Sequence, residues 1–159
     1  MIRRAIVNTI RASTCAVVRL DEKHEETLVR IEKGEPVGRL PSQVVGTAFL
    51  VRDDVVLTNR HIVMDVYEDD KNLGNHDNWY LEIVYPMEGI NDWGTTHVRI
   101  KNIFAFVDPS RDDKLDVGLM QFQRVKGEAF HSFIPVKFGN LDSIIVGADV
   151  GICGFPTRQ

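Results

Sequence analysis

The chain has 159 residues, 43% of them hydrophobic and 26% charged, with a formal net charge of −4. That composition fits one globular domain, or one domain plus part of another, with a core burying roughly 70% of the unfolded surface. A pI near 5.7 provides no global field to draw nucleic acid or an anionic membrane, and no apolar run reaches the ~18 residues of a membrane span.

Residues 1–11 start basic, but Asn8, Thr9 and Arg11 interrupt the apolar run. The expectation is an N-terminal helix or tail, not a secretory signal, and a cytoplasmic location is favoured. The Arg-rich, acid-free composition has a faint transit-peptide character. Cys15 and Cys153 are too few and too far apart for a disulfide framework, so reduced thiols are expected.

Thr14–Leu20 is rich in β-branched residues and reads as a strand. Asp21–Arg39 is a charged excursion broken by Gly34, Pro36 and Gly38, with a short hairpin expected around Leu28–Ile31. Val45–Val51 reads as a strand, Arg52–Asp54 as a tight turn, and Val55 onward as a second strand leading into a short helical turn that carries His61. Asp65–Asn78 reads as a loop because Gly74, Asn75 and Asp77 are turn formers. Trp79–Tyr85 is a strand ended by Pro86, Met87–Gly94 a loop, and Thr95–Phe106 a long strand. After the polar turn Asp108–Lys114 comes the strand Leu115–Phe122, then a connection from Gln123 to Asn140, and a last strand ending near Pro156.

About six short strands between turn clusters, with almost no helical period and no repeat, indicate an all-β barrel or sandwich. The last strand has no partner following it in sequence and looks like the opening of a second unit. The stretch Val146–Phe155 would present an unpaired strand edge and favour self-association.

Two residues could carry chemistry. His61 follows a hydrophobic strand in a turn that Thr58 or Asn59 could cap through a side-chain oxygen, which would hold its ring as a general base requires. Asp116 heads an apolar strand, so its carboxylate could be buried. An imidazole N–H would then be a natural partner, fixing the tautomer and stabilising the imidazolium. The blander alternatives are a structural histidine and an aspartate that caps its own loop.

Four blocks resemble, in order, those of the trypsin-like serine peptidases: Gly46-Thr47-Ala48-Phe49-Leu50-Val51, Leu57-Thr58-Asn59-Arg60-His61-Ile62-Val63, Leu115-Asp116-Val117-Gly118-Leu119-Met120, and Val146 through Pro156. The similarity is closest to the bacterial branch with the HtrA-like catalytic domain and covers roughly Thr14 to Pro156. It implies a six-stranded antiparallel β-barrel of the trypsin type over residues 12–122, a connector over 123–140 and the first strand of an incomplete second barrel over 141–159, with peptide-bond hydrolysis of a polypeptide substrate and His61 and Asp116 as the histidine and aspartate of a His-Asp-Ser triad. Ala48 replaces a usual glycine, which is tolerable if the backbone there needs no positive φ. Gly118 stands where alanine is common, a small change. The larger departure is that Ser13, Ser42, Ser110, Ser132 and Ser143 all lack the Gly-x-Ser-Gly-Gly setting of the family's nucleophile.

Without a nucleophile, these 159 residues are expected to be a fragment inactive alone. The competing reading is a non-catalytic pseudo-peptidase or binding module. Gly151-Ile152-Cys153-Gly154 superficially matches a cysteine-peptidase nucleophile turn, but the segment aligns better with the Gly-Tyr-Pro strand of the serine enzymes. The acidic stretch Asp65, Glu68, Asp69, Asp70 lacks EF-hand spacing, and His24, His76, His97 and His131 lack zinc spacing. No metal and no cofactor is expected.

Overall fold

The computed structural model describes residues 4–20, 29, 30, 33, 42–73, 78–87, 92–105, 115–124, 129–139 and 154. Six strands close into one antiparallel barrel: β1 (Thr14–Leu20), β2 (Ser42–Arg52), β3 (Val55–Thr58), β4 (Trp79–Pro86), β5 (Trp93–Ala105) and β6 (Gly118–Phe122). Their order around the barrel is β1-β2-β3-β6-β5-β4, with β4 returning to pair with β1. Closure leaves the barrel no open sheet edge. Helices whose described residues flank the barrel are α1 (Arg4–Ser13), α2 (Arg60–Leu73) and α3 (Ala129–Ser132).

Strand periodicity accounts for two apolar clusters. Alternate side chains point to opposite faces, so Cys15 and Val17 enter the main core with Ala48, Leu50, Val56, Leu81, Ile83, Val98, Ile100, Met120 and Phe122. Ala16, Val18 and Leu20 face the other way and pack with Tyr80. Phe130 and Phe133 complete the main core, their rings 6.2 and 6.3 Å from that of Phe122. Residues 130–136 therefore lie against α1 and the barrel, with Ile134 N–H donating to Ala12 O of α1 and Val136 N–H to Leu50 O of β2, both at 2.8 Å.

The strands expected at Thr14–Leu20, Val45–Val51 and Trp79–Tyr85 are present, the last extending through Pro86. β5 starts at Trp93, two residues earlier than expected. β6 starts only at Gly118, so Asp116 precedes the strand instead of heading it.

The loop expected over Asp65–Asn78 is mostly helix. α2 runs to Leu73, and the turn-forming residues begin only after it. Among its described side chains, residues 60–69, the buried ones are Ile62, Val63 and Val66, all in the first two turns, so they give little visible helical period. What holds the remainder is polar and tertiary: Asp69 Oδ2 accepts from Trp79 Nε1 and pairs with Arg19 Nε, each at 3.0 Å. At the expected hairpin, Val29 and Arg30 are helical, and Lys33 N–H donates to both of their carbonyls. Leu28, Ile31 and, apart from Gly154, the strand expected up to Pro156 lie outside the described residues. No described helix is long and apolar enough to cross a membrane.

Two glycines seat the start of α2 on the barrel. A Cβ on Gly46 of β2 would lie 2.8 Å from Ile62 Cδ1, and one on Gly118 of β6 would lie 2.4 Å from Val63 Cγ2. Both are below any normal contact distance, so the missing side chains make room for the two residues that follow His61. Alanine at 118 would not be the small change expected from the sequence. Ala48, by contrast, fits fully buried opposite Cys15.

Candidate active site

β3 and β6 are neighbours in the barrel, paired from Val55↔Gln121 to Thr58↔Gly118. Just beyond the last rung, one strand turns into α2 and the other enters from residues 115–117. The ladder thus brings His61 and Asp116 together across 55 residues of sequence.

The two residues meet twice. His61 Nδ1 lies 2.8 Å from Asp116 Oδ2, and the His61 backbone N–H donates to Asp116 Oδ1 at 2.9 Å. Asn59 Nδ2 donates to Asp116 Oδ2 at 3.0 Å and reaches Asp116 O at 3.5 Å. A carboxylate that accepts several N–H bonds stays ionised. The His61 backbone N–H is the largest influence holding the Asp116 carboxyl below its ordinary value of 3.8. Partial desolvation opposes it, and the His61 ring, Asn59 and the histidine charge add to the lowering.

An ionised carboxylate can only accept, so the proton of neutral His61 sits on Nδ1. Nε2 keeps its lone pair and is the atom free to take a proton. The arrangement can act as an oriented base.

The expected helix cap is reassigned. The Asn59 side chain points to Asp116, and the Thr58 hydroxyl donates to Thr47 O at 2.8 Å. The α2 N–H that an N-cap side chain would satisfy instead meets Asp116 Oδ1, which also sets a negative charge at the positive end of the helix. The carboxylate is not buried as its position in the sequence implied. The side chains of His61 and Asp116 are 63% and 50% accessible, because Asp116 stands outside the strand, and a half-solvated anion needs fewer protein donors than a buried one.

The remaining candidates lie elsewhere. Cys15 is fully buried with Sγ 3.7 Å from Ala48 O, and burial pushes its thiol far above the ordinary range. Cys153 falls outside the described residues. A Cβ on its neighbour Gly154 would lie 3.2 Å from Thr47 Oγ1 of β2. Asp65, Glu68 and Asp69 line a cleft of about 300 Å³ with Arg19, Gln43, Val45 and Trp79. No group of three or more His, Cys, Asp or Glu among the described residues is arranged to hold a metal.

Reading the sequence did not find the pair His97 and Glu82. These residues face each other across β4 and β5, with Nε2 3.0 Å from Oε2 and His97 only 1% accessible. The signal available was Glu82, the one charged residue in the otherwise apolar run of β4; β5 mixes polar and apolar positions, so His97 does not stand out there. His131 is exposed, and His24 and His76 lie outside the described residues. No protein-family model matches the sequence, and a search of curated proteins finds no match.

Proposed function

We propose that the barrel is the first barrel of a trypsin-like serine endopeptidase, with His61 as general base and acid and Asp116 as its orienting carboxylate. The observation that carries this reading is the double contact of Asp116, with both the ring Nδ1 and the backbone N–H of His61, at 2.8 and 2.9 Å. That contact fixes the tautomer and the orientation of the ring together. The four sequence blocks that resemble the family add to it.

In this reading His61 Nε2 removes the proton from a serine hydroxyl as its oxygen attacks the peptide carbonyl. The same nitrogen then protonates the leaving amine, while Asp116 remains ionised and stabilises the imidazolium. The serine, the amides that stabilise the oxyanion and the specificity pocket have no candidates in these 159 residues. The reading assigns them to a second barrel that would begin near residue 141 and cover the accessible face of the pair, excluding water.

The test is the coding sequence around these residues and the polypeptide it encodes. The expected result is a Gly-x-Ser-Gly-Gly segment within about 80 codons after Gln159, on the loop-length scale of a second barrel. That polypeptide should react with a serine-directed phosphonate, while residues 1–159 alone do not. A native polypeptide with no such segment, or one that has it and neither labels nor cleaves casein, overturns the reading.

A further inference from the structure

The main-chain ladder between β3 and β6 stops at Thr58↔Gly118, yet the chemistry of the pair depends on the next two residues on each side. Asp116 lies in residues 115–117, which belong to no strand. Across the gap reaches the Asn59 carboxamide, its Nδ2 3.0 Å from Asp116 Oδ2 and 3.5 Å from Asp116 O. The two hydrogens of one amide nitrogen can thus hold both the carboxylate and the main chain of the same residue.

We propose that Asn59 is a positioning residue for the His61–Asp116 pair, its side chain replacing the missing rung and aiming Asp116 Oδ2 at His61 Nδ1. This inference rests on reading the pair as a base and its orienting carboxylate. The residue type suits the task. A carboxamide supplies two N–H groups without a charge that would compete for the carboxylate, and its short stem loses little rotamer freedom. Oδ2 then carries two donors, Asn59 Nδ2 and His61 Nδ1, while Oδ1 carries the His61 backbone N–H. Removing Asn59 would leave Oδ2 one donor and release the tie from β3 to Asp116, so the carboxylate could turn away from the ring.

The test reads the His61 ring nitrogens and the Asp116 carboxyl by 15N and 13C NMR on residues 1–159, and needs no catalysis. In the parent chain neutral His61 should be mostly the Nδ1–H tautomer. Asn59→Ala should lower the Nδ1–H to Nε2–H ratio several-fold and move the Asp116 titration midpoint upward, with Asp116→Ala marking the fully uncoupled ring. Asn59→Ser keeps a side chain competent to cap a helix but lacks the carboxamide, and should behave like Asn59→Ala. If Asn59 served only the helix, the serine variant would match the parent in both readouts. Parent-like tautomer ratio and Asp116 midpoint in both variants, whatever their melting temperatures, overturn the proposal. A shifted ratio in a polypeptide that hydrolyses nothing would leave the positioning role standing and remove the peptidase reading alone.

Discussion

Gly118 and Val63 interlock: a Cβ on the glycine would lie 2.4 Å from the valine Cγ2. This contact joins the first residue of β6 to the helix that begins at Arg60, so the strand after Asp116 and the helix carrying His61 are seated on each other. Gly118→Ala should destabilise the barrel by about 1–3 kcal/mol through overpacking. Val63→Ala should relieve part of that loss when combined with it. Urea denaturation of the two single variants and the double variant measures the coupling, and strict additivity would show that the interlock is not felt.

On the proposed peptidase reading, in a polypeptide that carries this barrel together with a Gly-x-Ser-Gly-Gly segment, His61→Ala should lower kcat by about 10⁶-fold. Asp116→Asn should lower it by about 10⁴-fold, since an amide stabilises the wrong tautomer. KM should move little for either. Hydrolysis of a fluorogenic peptide gives both constants, and a variant within tenfold of the parent would remove that residue from the mechanism.

Stability should also depend on pH through Asp116. Its folded carboxyl lies below the ordinary value of 3.8, so its contribution is fully present above that value and is lost as pH falls through the lower folded one. The stability difference between the parent and Asp116→Ala should therefore shrink as pH falls below about 4. Urea midpoints across that range check it. A difference that grows as pH falls from about 5 to 3 would contradict the assigned partners.

Cys15 should not react with iodoacetamide at neutral pH while the barrel is folded. The thiol is fully buried, and its environment favours the protonated form over the nucleophilic thiolate. Peptide mapping by mass spectrometry should find it unmodified in buffer and fully modified in denaturant. Fast modification of the native chain at Cys15 would mean that β1 opens readily.

The strands were legible because each is a short run of β-branched or aromatic residues between turn formers, as in Trp79–Pro86 and Thr14–Leu20. The histidine and aspartate were legible because each adjoins such a run. α2 was not, since over its described side chains, residues 60–69, the buried ones are Ile62, Val63 and Val66, and its anchor at Asp69 depends on Trp79 and Arg19 from the strands. The part played by Asn59 was hidden for a related reason. Its partner is 57 residues away, and nothing local distinguishes a side chain that caps a helix from one that reaches across a barrel. The tightness at Gly118 is likewise a property of the facing Val63, invisible in either residue alone.

Two of the six seams of the barrel, β1·β4 and β3·β6, join strands far apart in sequence, and the His61–Asp116 pair sits at the open end of the second. Forming that seam requires closing a long loop, a slow event next to the local hairpin β2·β3 or the winding of α2. A chain with its hairpins and helix in place but the cylinder still open would own a histidine without a carboxylate beside it. The protonation pattern of that one ring is therefore a spectroscopic clock for barrel closure, running whether or not the molecule ever cuts a peptide.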